Sequence, residues 1–314
     1  MKADFELTKE LFQPVSLENK NADTIKRPSI KYWPDVWRRL KMNKLAMVGL
    51  YIIIGFIVMA AIGTEINGFK YYVQNLDFIN IKPNGVHWFG TDELGRDLFS
   101  RLWLGARYSL FIGVMAAAID FLIGVLYGGV AGISTRRVDS IMMRIAEVIY
   151  SIPYLLIVIL LSVVFSSQGQ GTSLFSLILA MSLTGWVPMG ILVRGQVLQL
   201  KESEYALAAE SIGADKKWIL RKHIIPNTLG PILVNVTLTV PRAIFAEATL
   251  SFLGLGIQLP KSSLGSLASD GLAGMAVGNG YQILIPAIFI SIIMFAFNVL
   301  GDGLRDALDP RLRK

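Results

Sequence analysis

Six stretches of mostly apolar residues stand out along the chain, at about Leu45 to Gly63, Tyr108 to Ser134, Ile145 to Ser166, Leu174 to Val193, Leu229 to Leu250 and Gln282 to Gly301. A helix needs roughly 20 such residues to cross a hydrocarbon core of about 30 Å. The pattern therefore predicts an all-α, polytopic membrane protein with six transmembrane helices. Forty-four mostly polar residues precede the first window, so it reads as an uncleaved anchor, since a signal peptide begins near the terminus. The expected organisation is residues 1–44 as a tail with an interfacial helix and 45–107 as the first span with its loop. Residues 108–301 form a five-helix domain, and 302–314 a second tail.

Composition agrees with a lipid solvent. Of 314 residues 53% are hydrophobic and 17% charged, with a mean hydropathy of +0.53, whereas a soluble domain carries about 25% charged residues. The net charge of +7 reflects the connecting segments and does not point to nucleic acid. With the N-terminus inside, the cytoplasmic segments hold 23 Lys and Arg and the outer ones 6, which places both termini in the cytoplasm. Residues 1–30 lack hydrophobic periodicity and read as a flexible tail. Just before the first span, Tyr32, Trp33, Trp37, Arg38, Arg39, Lys41 and Lys44 mix rings with cations, which suits a helix in the headgroup region.

Candidate chemistry is sparse. Cysteine is absent and only His87 and His223 occur, so thiol catalysis, disulfides and a multi-histidine metal site are not expected. No GxxxxGK[ST] phosphate loop, HExxH, GxSxG or GxGxxG string is present. The chain is expected to catalyse nothing and to hold no cofactor. Gly124, Gly128 and Gly132 form a GxxxGxxxG stripe that favours close helix packing, while Pro153, Pro188, Pro241 and Pro286 favour bends or breaks. Only Asp120, Glu147, Arg242 and Glu247 are ionisable within the windows. A cation in a span costs roughly 2.5 to 3.5 kcal/mol on insertion scales, so Arg242 should face water or a partner. Axial position favours an Arg242–Asp120 pair bordering a cavity, with a partner-subunit carboxylate and a substrate carboxylate as rivals. Glu247, five residues along the same helix, is poorly aimed.

The connection from Arg194 to Thr228 is long for neighbouring membrane helices. It holds Glu204 to Ala214, an alanine-rich helical stretch ended by Gly213, a residue suited to a helix end. This segment resembles the EAA signature of inner-membrane permeases of ATP-binding cassette importers, in which EAA, three residues, Gly, nine residues and I-x-L-P follow one another. Ala208, Ala209, Gly213 and Pro226 match it, Ile225 stands conservatively for leucine, and Leu207 and His223 replace glutamate and isoleucine. Other strings are similar to the C-type permease subunit of the oligopeptide, dipeptide and nickel branch. They are Trp37 to Ala46, His87 to Asp97, Glu247 to Gly256 and Leu300 to Arg311.

The resemblance implies the type I importer permease fold, a second permease subunit, two cytoplasmic ATP-binding subunits and an extracytoplasmic substrate-binding protein. It also implies that Leu207, Ala208, Ala209, Gly213 and Pro226 belong to the ATPase-coupling segment, and that peptides are the first-choice substrate. Lys216, Lys217, Arg221 and Lys222 read as a solvated positive-inside cluster. The outer segment His87 to Asp97 fits either a contact for the binding protein or a local cap on the second span. A nickel or other small-solute permease of the same branch is the alternative. In a different class, an ion-coupled secondary transporter would leave the EAA-like loop without a role.

Overall fold

A computed structural model describes residues 32–166, 174–257 and 260–309. Among these, the regular structure is helical, with one isolated bridge between Thr91 and Asp97. The helices are α1 (Tyr32–Met42), α2 (Lys44–Ile66), α3 (Leu98–Ile133), α4 (Arg136–Ser151), α5 (Tyr154–Ser166), α6 (Leu174–Leu200), α7 (Glu204–Ser211), α8 (Lys216–Ile219), α9 (Ile225–Phe252), α10 (Leu264–Ala276) and α11 (Tyr281–Leu308). A π turn at Leu220–Ile224 joins α8 to α9, making one continuous 37-residue helix. Among the described residues five helices are long and apolar enough to cross a membrane, α2, α3, α6, the α8–α9 helix and α11, and the bent pair α4 and α5 makes a sixth span if counted as one.

The third expected span departs from a single rod. Pro153 lacks the N–H that a continuing helix needs, and the chain breaks there, with α4 and α5 bent by 72°. The expected connector 135–144 is helical instead. It lies within α4, whose sequence alternates polar and apolar faces. Prolines 188, 241 and 286 stay inside continuous helices. Helix α3 begins ten residues before its hydropathy window, because Arg101 and Arg107 depress hydropathy while folding supplies them with partners. Arg107 donates from Nε to the Ala60 carbonyl at 2.6 Å. Helix α11 similarly runs past the expected boundary at residue 301, to Leu308.

The glycine stripe lies in the seam between α3 and α6. A Cβ at Gly124 would stand 2.6 Å from Met189 Cβ, one at Gly132 2.7 Å from Val197 Cβ, and one at Gly128 would run into the Gly190 carbonyl oxygen. Such close backbone approach gives dispersion contacts that larger side chains would forbid. The buried apolar residues fall into several clusters. One cluster joins α2, α3, α9, α10 and α11 around Trp103, Leu264 and Phe297. Another joins α6, α7, α8 and α9 around Met189, Val197, Ala209 and Ile224. Helix α1 packs Val36 and Leu40 against Ala307 and Leu308 of α11, and leaves Trp33 and Trp37 exposed.

Candidate functional site

Helix α7 is short, and its end is built by hydrogen bonds. The Ala214 N–H donates to the Ala209 carbonyl at 3.0 Å and the Gly213 N–H to Glu210 at 2.9 Å, the pair of bonds that closes a Schellman motif. Gly213 has φ +90°, a left-handed conformation in which a Cβ is unfavourable. The chain thereby reverses at once into α8, whose first turn is capped by the Asp215 carboxylate accepting from Lys217 N.

This turn gives α7 two unlike faces. Ala206 and Ala209 are buried against Val197, Ile219 and Ile224 of the same chain. Leu207, Tyr205 and Trp218 are exposed, and Ile212 is 88% exposed. The residues grouped for coupling thus separate: Leu207 and Ala208 face outward, while Ala209 holds α7 to its own bundle. Pro226 sits just after the π turn, inside the continuous α8–α9 helix, so the helical bond that its N–H would make to an upstream carbonyl is missing there. His223, in the π turn, packs edge-on to Trp218 with ring centroids 4.9 Å apart. Lys201 donates to the Gly132 carbonyl at 3.2 Å, tying the approach to α7 onto the end of α3.

At the opposite end of α3, His87 to Asp97 folds as a cap on the helix. Asp97 is its N-cap and accepts from Ser100 N at 2.9 Å, while His87 Nδ1 lies 2.9 Å from the other oxygen of Asp97. Asp92 accepts from the backbone of Leu94 and Arg96 and pairs with Arg96 Nε at 2.7 Å and with Arg101. Asp270 of α10 completes the cluster at 3.0 Å from Arg101. Thr91, Asp92, Arg96, Asp97 and Arg101 are all buried. Gln282 and Tyr281 of α11 donate to the Thr91 carbonyl, so the segment is fastened to three elements.

Asp120, Arg242 and Glu247 do not form one group. Arg242 and Asp120 line a single cavity of about 260 Å³, with Tyr150, Tyr154, Thr184 and Asn235, but no ion pair joins them among the described residues. Helical rise places two residues at similar depth, yet pairing also needs rotation toward each other, which sequence does not supply. Glu247 is outside the cavity. It is fully buried between α3, α9 and α10, accepting from Ser109 at 2.8 Å and Ser251 at 2.6 Å. Among the ion pairs that the sequence did not reveal are two between distant elements: Arg194 of α6 forks onto Asp139 of α4 at 2.5 and 2.7 Å, and Arg101 reaches Asp270 169 positions away. Nothing local signals either.

Comparison with known proteins places this architecture. Residues 124–314 match the family described as "Binding-protein-dependent transport system inner membrane component", and residues 31–83 match "N-terminal TM domain of oligopeptide transport permease C". The chain is 57% identical over 297 residues to the dipeptide transport system permease protein DppC of Bacillus subtilis, covering 95% of this chain and 91% of the relative. It is 50% identical over 308 residues to the oligopeptide transport system permease protein OppC of the same organism, covering 98% and 99%. In fold it is similar to a chain of the inward-facing MetNI methionine ABC transporter, with a TM-score of 0.54, 19% identity, and coverage of 66% of this chain and 97% of that one. The protein is a multi-pass membrane permease subunit of an ABC importer and belongs to the binding-protein-dependent inner-membrane component family, as a C-type subunit of the oligopeptide branch.

Proposed function

We propose that this chain lines the inward path for di- and oligopeptides as one of two permease subunits, served by two ATP-binding subunits and an extracytoplasmic binding protein. The observation that carries the substrate class is the near full-length identity, at 57% and 50%, with dipeptide and oligopeptide permeases. ATP hydrolysis is assigned to the partners, and α7 with its following turn to the contact with them. Two features support the contact: the small, self-packed inner face of α7 and the exposed Leu207, Ile212 and Trp218 beside it. Apolar side chains so fully in solvent gain by burial on a partner, at about 25 cal/mol per Å² covered.

Both termini are assigned to the cytoplasm on the 23 to 6 asymmetry of basic residues. Because the chain has no cysteine, single replacements report without background. A cysteine at Ser211 should resist an impermeant thiol reagent in intact cells, and one at exposed Glu93 should react; the reverse result overturns the orientation. Substrate class is tested by uptake of labelled di- and tripeptides into proteoliposomes holding the whole importer. ATP-dependent accumulation is expected, and its absence with a loaded binding protein overturns the peptide reading.

A further inference from the structure

The cavity shared by α3, α5, α6 and α9 contains groups that packing alone does not explain. Asp120 is 95% buried, being 5% exposed, and its Oδ1 meets no hydrogen-bond donor among the described residues. The Tyr154 hydroxyl, lining the same cavity, has no partner among them either. Buried acceptors without donors are costly, and native proteins rarely keep them without a use. Room for the carboxylate is provided deliberately: at Gly185 of α6 an added Cβ would stand 2.5 Å from Asp120 Oδ2 and 2.8 Å from Oδ1. Arg242 of α9 lines the same space, is exposed, and forms no ion pair with Asp120.

A carboxyl group and a guanidinium group that share one cavity without pairing match a ligand carrying both an ammonium and a carboxylate. Asn235 lines this cavity and also a second, of about 480 Å³, bordered by Leu192, Pro231, Leu308 and Asp309. The charged space is thus adjacent to an opening near the α7 end of α9, as a station on a path requires.

We propose that Asp120 and Tyr154 receive the ammonium group of a zwitterionic peptide in transit, while Arg242 takes its carboxylate. This inference rests on the peptide reading above and adds the residues that would read the two termini. The interaction is transient by design, since a carrier must also release what it binds. A charge-assisted hydrogen bond contributes about tenfold or more in affinity.

The test uses the assembled permease–ATPase complex in nanodiscs, without binding protein, titrated with trialanine, N-acetyltrialanine and trialanine amide by thermal shift. The native complex should prefer trialanine about tenfold over each blocked form. Asp120→Asn should erase the preference over the acetylated peptide and keep that over the amide, and Arg242→Gln should do the opposite. Tyr154→Phe, which removes one hydroxyl, should lower the first preference about threefold and carries the test at this pole if Asp120→Asn does not assemble. Unchanged ratios in the variants, or no preference in the native complex while it still accumulates trialanine in proteoliposomes, overturn the subsite and leave the peptide reading intact. Failure to accumulate any of the three peptides overturns both.

Discussion

The two ends of α3 are finished in opposite ways. Around Asp92 and Asp97, charged and polar groups are buried, and most of their bonds close within the chain, through Arg96, Arg101, His87 and the distant Asp270. Beside the other end, around α7, the side chains in play are small or apolar, and Leu207, Ile212 and Trp218 remain in solvent. The first region pairs most of its charges inside the chain. The second carries its charges on the solvent side, at Lys216, Lys217, Arg221 and Lys222, and leaves apolar side chains uncovered. Under the coupling proposed above, the uncovered apolar side chains beside α7, rather than the buried charges at the other end, mark the partner-facing surface.

The sharpest way to break this contrast is at Asp92. Its removal in Asp92→Ala leaves Arg96 and Arg101 buried beside one remaining carboxylate, and breaking such a group costs about 3–5 kcal/mol. The variant should fail to accumulate in membranes or melt far below the native complex. Normal accumulation and melting would show that the cap is not self-contained.

At the other region the expected effect falls on assembly. Ile212→Arg puts a cation on the most exposed apolar position of the α7 turn, and should weaken copurification of the ATP-binding subunits by about tenfold or more, with the permease level unchanged. Ala209→Arg is a different experiment, because Ala209 is buried in its own chain; it should lower permease stability as well. If the two variants behave alike, the separation of the α7 faces is wrong.

Gly213→Ala probes the turn that presents those faces. A Cβ at φ +90° costs roughly 1–2 kcal/mol, and open space surrounds the position, so the loss should appear as reduced coupling of ATP hydrolysis to uptake without loss of the subunit. The smallest effect is expected at Glu93, exposed within the cap segment. Glu93→Ala should leave melting within about 0.5 kcal/mol of native, and a larger loss would mean that the cap depends on its solvent-facing residues.

Much of the bundle is legible from hydropathy, because lipid imposes a simple demand on a helix: enough apolar length. What hydropathy misses is direction and tertiary satisfaction. It counts Ile145 to Ser166 as one span, although Pro153 turns the chain by 72°. It ends α6 at Val193, because Arg194 looks like loop until Asp139 of α4 is brought against it. Helix α10, rich in Gly265, Ala268, Gly271 and Gly274, passes for an irregular segment, since it is too short to span. Its one local signal is the reciprocal capping of Ser263 and Ser266. At the coupling segment the spacing of Ala208, Ala209 and Gly213 was readable, but which alanine faces outward depends on the angle at which α7 lies on Val197 and Ile219. That angle exists only in the folded chain.

The unbroken helix from Lys216 to Phe252 has a mechanical consequence. Arg242 lies 26 positions beyond Lys216, about 39 Å along the axis at 1.5 Å per residue. A tilt of roughly 10° about the α8 end would carry Arg242 sideways by about 7 Å. The stub that leaves the α7 turn and the wall of the charged cavity thus belong to one helix, so a tilt at the α8 end would change the width of the space around Asp120.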